Sequence, residues 1–256
     1  MKTYISATLL ILMVGAWTNS AFAVVDFEST PLGGTPTNDG PVIGPYTDSG
    51  VQISFGFDSD NNGSVEADAI FELFSTDGSE GTNIGFQGSN GTDTADLGFA
   101  SQLGRWFLRS PTPGMNFGRF VIQYSSPFPV TAASGEIWDI DGQLPDGTFT
   151  ERYKVEAFDS ANTSLGVIFS PIGTLTSTIA PLDGRPWVFS FSGILGDIDR
   201  IDITFVGTKP MGIGLAFNNF YPTTAVPEPT MLTLAAFGGF LLMAMRRRRT
   251  APSTRS

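Results

Sequence analysis

The segment at residues 58–63, with the sequence DSDNNG, has the residue types and spacing to bind a calcium ion. Oxygen-bearing side chains stand at its first, third and fifth positions, which are Asp58, Asp60 and Asn62. Gly63 at the sixth position permits a sharp turn, so these hard oxygen ligands can converge on one ion. The twelfth position is Ala69, where such loops carry a bidentate Glu, and Glu66 at the ninth position and nearby Asp68 could substitute. We predict a calcium site here, with a polar hairpin turn as the alternative.

Two acids near the start of the chain form a second candidate calcium site. Asp26 and Glu28 are two residues apart, so they share one face of a strand. Residues 26–28 and 216–220 resemble the first and last strands of carbohydrate-binding-module-like jelly rolls. That resemblance implies that the two terminal strands pair and that Asn218 joins Asp26 and Glu28 around a structural calcium ion. The alternative is a pair of solvent-facing acids and an ordinary Asn at a strand end.

Five further acids could include the catalytic pair of a glycoside hydrolase, in which the separation of two carboxylates sets the outcome. They are Glu136, Asp139, Asp141, Glu151 and Glu156. Some pairing is expected by chance in so acidic a chain, so we predict that the protein is not an enzyme. The chain has no His and no Cys. Their absence excludes a Ser-His-Asp triad, a thiolate nucleophile and a Cys-based zinc site.

Exposed aromatic rings would suit a carbohydrate ligand, because a flat apolar ring face stacks on the C–H face of a sugar. The candidates for this role are Trp106, Trp138, Trp187 and Tyr124. Most Trp residues in a β-sandwich of this size belong to the core. A core position is therefore the alternative for each of them.

These candidates lie among short segments in which apolar and polar residues alternate. The clearest alternation, with a period of two, is found at residues 51–57, 149–157, 187–191 and 201–205. Further apolar runs bounded by Gly, Pro, Asn or Asp predict strands at residues 69–74, 105–108, 117–124, 136–140, 165–169 and 213–221. Many short strands without an amphipathic helix predict an all-β fold. We expect an antiparallel, jelly-roll-like β-sandwich at residues 24–222.

The first 23 residues predict a secretory signal peptide. Lys2 precedes an apolar run at residues 8–17, and small residues, Ala21 and Ala23, stand at both recognition positions of the cleavage site. The apolar run is shorter than the ~20 residues of a membrane-spanning helix, which argues against a retained N-terminal anchor. We therefore predict export and cleavage by signal peptidase after Ala23.

Residues 223–256 combine a linker, a proline-rich motif, an apolar segment and a basic end. Pro227, Glu228 and Pro229 precede an apolar segment at residues 230–245, which predicts one transmembrane helix. Four arginines follow this segment directly, namely Arg246, Arg247, Arg248 and Arg249. By the positive-inside rule they hold their end of the helix in the cytoplasm, which places the β-sandwich outside.

This order of Pro-Glu-Pro, apolar helix and arginine cluster resembles the PEP-CTERM sorting signal of exopolysaccharide-producing bacteria. The resemblance covers only the tail of the chain. It implies recognition by an exosortase, a membrane-embedded enzyme that cuts near the Pro-Glu-Pro motif and releases or transfers the outer domain. The alternative is a plain C-terminal membrane anchor behind a linker stiffened by proline.

The charge balance narrows the choice of partners. Residues 24–225 hold 24 of the 25 acids of the chain and 8 of its 14 basic residues, a formal charge of -16. Nucleic acid is excluded as a partner, because phosphate binding needs a basic face. We predict an exported bacterial cell-surface or extracellular-matrix protein that associates non-catalytically with exopolysaccharide, with calcium as a structural ion. The alternatives are a surface adhesion or coat protein that binds other proteins, and a polysaccharide-active hydrolase or lyase.

Overall fold

The computed structural model describes residues 24–73, 95, 98–112, 115–140, 149–173, 182–194, 196–211, 213 and 216–224. Strands and one short helix follow one another along this part of the chain: β1 (Tyr46–Asp48), β2 (Val51–Asp58), β3 (Ala67–Asp68), β4 (Ile70–Leu73), α1 (Ala100–Leu103), β5 (Trp106–Arg109), β6 (Arg119–Ser125), β7 (Val130–Ile140), β8 (Tyr153–Phe158), β9 (Ser164–Phe169), β10 (Leu182–Phe191), β11 (Arg200–Phe205) and β12 (Ala216–Thr224). The predicted signal peptide at residues 1–23, the sorting tail at residues 225–256 and Asp141 lie outside the described residues.

The strands form two antiparallel sheets. Sheet A has the order β1-β2-β6-β11-β8-β9, and the short strand β3 also pairs with β2. Sheet B has the order β10-β7-β12-β5-β4. From β5 onward the chain crosses between the sheets after every strand except β8, which is followed by its sheet A neighbour β9: β6, β8, β9 and β11 belong to sheet A, and β5, β7, β10 and β12 belong to sheet B.

The core lies between the two sheets and is rich in phenylalanine. Alternation along each strand turns its apolar side chains inward. Phe120 of β6 stacks on Phe217 of β12, with ring centroids 4.1 Å apart and 12° between the ring planes. Phe55 of β2 and Phe220 of β12 have centroids 5.1 Å apart. These contacts join sheet A to sheet B, and the described chain is an all-β sandwich, as the sequence predicted.

A second, smaller apolar cluster lies on the outer face of sheet B, beneath helix α1. Leu103 of this helix is buried together with Phe107 and Trp138. The helix ends at Gly104, whose φ of 75° is a left-handed conformation that glycine adopts without strain. Sheet B therefore has buried side chains on both of its faces near α1.

The two ends of the described chain meet in sheet B. Val25 and Phe220 form an antiparallel bridge, with N–O distances of 3.1 Å in both directions. Beyond Phe220, β12 continues to Thr224, which is paired with Val130 at the start of β7. The first described segment is thus a neighbour of the last strand.

Each of the predicted strands corresponds to an observed strand, with differences at the ends. β7 begins at Val130 rather than at residue 136, and β8 begins at Tyr153 rather than at residue 149. The sequence analysis missed β1 and β3, which are 3 and 2 residues long. Strands of that length are too short for alternation to be recognised.

Candidate metal centre

The predicted calcium segment is the turn between β2 and β3. β2 ends at Asp58, and its antiparallel pairing with β3 places Phe57 opposite Ala67. The chain reverses through left-handed conformations at Asn61 and Gly63, with φ of 62° and 98°. Gly and Asn adopt this conformation more readily than other residues. The turn therefore folds the acidic segment into one loop.

Three carboxylates converge in this loop. Ligand oxygens of Asp58, Asp60 and Glu66 all lie within 4.8 Å of one another. Asp58 is buried at the base of the loop, whereas Asp60 and Glu66 are exposed. This acidic group could hold a metal ion, because carboxylate oxygens are the ligands that hard cations prefer. The loop is also a polar hairpin turn, so the two interpretations of its sequence do not exclude each other.

Backbone amides orient the carboxylates of the loop. Gly63 N donates to Asp58 Oδ2 at 2.8 Å, and Asn62 N donates to Asp58 Oδ1 at 3.1 Å. On the other arm of the turn, Ser59 N donates to Glu66 Oε2 at 2.8 Å. These hydrogen bonds fix the buried and one of the exposed carboxylates in place through the fold of the turn itself.

The side chain of Asn62 makes hydrogen bonds within the turn, and Ala69, at the twelfth position, lies in the core. Asn62 Oδ1 accepts a hydrogen bond from Ser64 N at 2.7 Å, and Asn62 Nδ2 donates to Asp60 Oδ2 at 3.0 Å. Ala69 is completely buried. Glu66 is accordingly the residue that completes the acidic group in place of the missing Glu.

Arg119 is the basic partner of the loop, and the sequence analysis did not identify it. It stands opposite Asp58 in the pairing of β2 with β6, and its guanidinium contacts Asp58 Oδ2 and, at 3.0 Å, Asp202 Oδ2. Arg200 Nε pairs with the other oxygen of Asp202 at 2.8 Å. Asp58, Arg119, Asp202 and Arg200 thus form a line of alternating charges on the outer face of sheet A, which we call the ionic row.

The surroundings of Asp58 favour its ionised form. Burial raises the pKa of its carboxyl group, but hydrogen bonds from Gly63 and Arg119 outweigh burial and hold the pKa below its ordinary value of 3.8. The three carboxylates of the loop carry three formal negative charges, and Arg119 offsets one of them because Arg200 neutralises Asp202. Among the residues that the structure describes, the other two charges have no basic partner, and two is the number that one divalent cation would neutralise.

The residues of the second predicted calcium site hold chain segments together. Asp26 and Glu28 are exposed. Glu28 Oε1 accepts hydrogen bonds from two backbone amides at the start of β5. Asn218 is buried, its side-chain amide donates to the carbonyl of Leu103, and its oxygen accepts from the next backbone amide at 2.9 Å. Glu28 and Asn218 thus tie the first segment and β12 to the α1–β5 connection.

The acids considered for catalysis have structural partners wherever the structure describes them. Three of them are buried: Glu136, Asp139 and Glu151. Glu151 Oε1 pairs with Lys209 Nζ at 2.8 Å, and Glu156 Oε2 pairs with Lys154 Nζ at 2.9 Å. Asp139 Oδ1 accepts a hydrogen bond from a backbone amide of β10 at 3.1 Å.

Glu136 differs from Glu151 and Glu156 because only neutral groups donate to it among the described residues. Its Oε1 accepts from Gln102 Nε2 at 2.7 Å, and its Oε2 accepts from Trp138 Nε1 at 3.0 Å and from Asn219 Nδ2 at 2.8 Å. Burial raises the pKa of Glu136 above its ordinary value of 4.5, despite these hydrogen bonds. We call these four residues the Glu136 node, which fastens α1 to the outer face of sheet B.

The tryptophans considered for sugar stacking lie in or against the apolar clusters. Trp106 and Trp138 are 5% and 0% exposed, so neither has a ring face open to a ligand. Trp187 is half-buried and packs beside Phe189, at a centroid distance of 6.3 Å. Trp106 and Trp138 are therefore core residues, which was the alternative to sugar stacking.

Comparison with known proteins identifies no family for this chain. No family model matches the chain, and no curated protein matches it significantly. Among the described residues, no helix is both long enough and apolar enough to cross a membrane. The predicted transmembrane helix at residues 230–245 lies outside those residues.

Proposed function

We propose that this protein is exported to the cell surface or extracellular matrix, where its β-sandwich associates with exopolysaccharide without changing it chemically. The observation that carries the proposal is the presence of two ordered signals, one at each end. Ala21 and Ala23 close a signal peptide, and residues 227–229 precede an apolar segment and an arginine cluster. In this proposal signal peptidase and an exosortase are the processing enzymes, and the helix at residues 230–245 anchors the chain before the second cut.

The architecture supports this role. The chain crosses repeatedly between two antiparallel sheets and its terminal segments pair at the Val25–Phe220 bridge, which is compatible with a jelly-roll-like sandwich. Every residue of the main core lies between Val25 and Phe220. Removal of both signals therefore leaves the residues of the core in place.

Calcium at the loop formed by residues 58–66 belongs to the proposal as a structural ion. Three converging carboxylates, two of them without a basic partner in the described part of the chain, support it. Because Ca²⁺ takes roughly six to eight oxygen ligands, backbone carbonyls or water would complete its coordination. The ion would link the two arms of the turn through Asp60 and Glu66.

The positions of the remaining carboxylates favour a non-catalytic role. A glycoside hydrolase needs two carboxyl groups that reach the glycosidic bond. Glu136 and Glu151 are 6% and 0% exposed and are already hydrogen-bonded or ion-paired within the fold. Their burial keeps them away from a polysaccharide chain.

A surface protein that binds other proteins is the second candidate, and strand β9 favours it. β9 lies at the edge of sheet A, and its Val167 and Phe169 are 44% and 47% exposed. An open strand edge with exposed apolar side chains is suited to contact with another protein.

The first test is retention of the protein, purified from its host, on the host's own exopolysaccharide with calcium and with a chelator. We expect retention with calcium and loss of retention in chelator. The Asp60→Asn variant should behave in calcium as the wild type does in chelator, whereas Asp68→Asn, an exposed acid outside the acidic group, should not. Absence of retention in both conditions would overturn the association with exopolysaccharide and favour the second candidate.

The same variants test the ion itself through thermal stability. A ligand at about 100 times its dissociation constant raises the free energy of unfolding by about 2.7 kcal/mol. We expect calcium to raise the melting temperature of the wild type and of Asp68→Asn but not that of Asp60→Asn. An equal rise in all three proteins would place the ion elsewhere.

Sorting is tested by intact-mass analysis of the mature surface protein from a host that has an exosortase. We expect a mass that lacks residues 1–23 and the arginine cluster. A mature protein that still carries Arg246–Arg249 would contradict exosortase processing and support a plain anchor.

A further inference from the structure

A cavity of about 240 Å³ opens at one end of the sandwich, beside the turn between β6 and β7. Its buried lining residues are apolar or aromatic, namely Tyr124, Val130 and Ile198. Its exposed lining residues include an aromatic ring and two carboxylates, which belong to Phe128, Asp197 and Asp199. Hydroxyl groups of Ser126 and Ser160 also line it. The cavity therefore combines an apolar floor with a polar rim.

Backbone hydrogen bonds hold the residues that line the cavity in place. The segment that carries both carboxylates is hydrogen-bonded to three strands. Ile198 N donates to the Val130 carbonyl at 2.8 Å, Asp199 N donates to the Phe158 carbonyl at 2.9 Å, and the Asp199 carbonyl accepts from Tyr124 N at 2.8 Å. On the opposite side, Pro127 and Pro129 flank Phe128 and restrict the backbone of the turn. A ligand would find the site already in shape, which lowers the entropic cost of binding.

Tyr124 contributes to the floor of the cavity. Its side chain is 5% exposed and belongs to the main core. Its hydroxyl is buried and has no hydrogen-bond partner among the described residues, so it is not open to a ligand in the cavity. The hydrogen-bonding groups that a ligand can reach are therefore those of the exposed rim residues.

The chemistry of the lining selects the ligand class. The ring of Phe128, 45% exposed, suits the C–H face of a sugar, and two carboxylates suit its hydroxyl groups as acceptors. The volume of about 240 Å³ is sufficient for one small ring, and the cavity is open to solvent on one side, so a neighbouring sugar of the same chain can lie outside it. Acidic sugars are disfavoured, because Asp197 and Asp199 would repel a second carboxylate.

We propose that this cavity binds a single neutral pyranose residue of a glycan, with Phe128 as the stacking ring and Asp197 and Asp199 as hydrogen-bonding groups. The inference deepens the proposed association with exopolysaccharide and rests on it for the biological source of the sugar. The site is separate from the acidic loop at residues 58–66, which shares none of its lining residues.

The test is a titration of the full chain, purified in a polyoxyethylene detergent whose head group contains no sugar. The probes are the methyl pyranosides of glucose, galactose and mannose, with methyl glucuronide as the acidic comparison, followed by saturation-transfer NMR. We expect at least one neutral glycoside to bind with a millimolar dissociation constant and the glucuronide to bind more weakly. Phe128→Ala should weaken binding about fivefold or more.

Two further variants separate binding from folding. Phe169→Ala removes a ring of similar exposure, 47%, on the outer face of sheet A and should leave sugar affinity unchanged. Asp199→Asn removes the charge of an exposed rim carboxylate without changing its shape, so we expect an unchanged melting temperature and an affinity about threefold to tenfold lower. Failure of every neutral glycoside to bind, or equal affinity in the wild type and Phe128→Ala, would overturn the inference.

The outcome is also distinguishable from that of the proposed function. If the wild type and Phe128→Ala are retained equally on exopolysaccharide, the proposed function stands, but the cavity does not contribute to it. Glycoside binding that depends on Phe128, together with no retention on the host's exopolysaccharide, would establish the cavity and overturn the proposed function.

Discussion

The ionic row on sheet A and the Glu136 node on sheet B each bury a carboxylate on the outer face of a sheet, but with opposite electrostatics. Asp58 lies against the guanidinium of Arg119, and its pKa is held below the ordinary value. Glu136 accepts three hydrogen bonds from neutral groups, and its pKa is raised. Asp58 has a cationic partner, Arg119, whereas the described partners of Glu136 are all neutral.

At Glu136, hydrogen bonds from three neutral donors do not outweigh burial, which disfavours the ionised form. At Asp58 the guanidinium of Arg119 adds a Coulombic attraction to the hydrogen bonds, and the ionised form is favoured. A guanidinium does not always reverse the balance, because burial raises the pKa of Asp202 although Arg119 and Arg200 both contact it. The hydrogen bonds that Asp58 accepts from the turn are therefore part of the difference between Asp58 and Glu136.

The largest expected effect comes from removing the cation of the ionic row. Arg119→Met leaves Asp58 and Asp202 buried with their shared partner gone, so we expect a loss of about 3–5 kcal/mol in the free energy of unfolding at pH 7. Urea denaturation measures this loss. Lys154→Met is the matched control, because Lys154 is 33% exposed and its ion pair should contribute less than about 1 kcal/mol. Equal losses in both variants would break the comparison.

The next effect concerns two glycines beside Asp58. Gly118, with φ of 96°, faces the backbone of Asp58 and Ser59, and a Cβ there would collide with main-chain atoms. We expect Gly118→Ala to cost about 1–3 kcal/mol in urea denaturation. Gly63, with φ of 98°, has open space where a Cβ would stand. Gly63→Ala should cost less, about 1 kcal/mol, and the reverse order would contradict the rigidity of the loop on sheet A.

A smaller effect is expected in the pH dependence of the Glu136 node. Because the folded pKa of Glu136 is raised, the folded state holds the proton more tightly, and stability falls as pH rises through the interval above 4.5. Glu136→Gln has no such titration, and the exposed Gln102 can turn its amide to match. The free energy of unfolding of the variant should rise relative to the wild type between pH 4.5 and neutrality. A constant difference across that range would contradict the raised pKa.

The smallest effect is the opposite trend at Asp58. Its lowered pKa contributes stability that is present above 3.8 and is lost as pH falls through the folded value. The advantage of the wild type over Asp58→Asn should therefore shrink below pH 3.8 and stay constant above pH 5. Unfolding of Asp58→Asn and Glu136→Gln, measured in the same buffers, tests whether the stabilities of the two variants relative to the wild type change with pH as expected for a lowered and a raised pKa. Trends of the same sign would remove the distinction between the two sheets.

Local pattern explains why the strands were predictable and their partners were not. Alternation at residues 51–57 reports which side chains of β2 face inward, since that property depends only on neighbours in the chain. The ion pair between Asp58 and Arg119 joins residues 61 positions apart, and it depends on the register of β2 against β6. Nothing local in the sequence specifies that register.

The candidate sites show the same division. The converging acids at Asp58, Asp60 and Glu66 were predictable because one turn contains them all. Burial of Trp106 and Trp138, and the hydrogen bonds of Asn218 to the carbonyl groups at 103 and 106, depend on how α1 and β5 pack against sheet B. The cavity at Tyr124 combines three chain segments, so its lining could not be identified from one of them.

The pairing of Thr224 with Val130 has a mechanical consequence. Val130 lines the cavity, and Thr224 is the last described residue before the tail. If the molecule is held by its tail and pulled by a ligand in the cavity, the tension crosses sheet B between these two neighbouring strand ends. Antiparallel strands pulled from the same end separate one residue pair at a time instead of shearing together. β12 would then separate from β7 starting at Val130 and proceeding towards Tyr221.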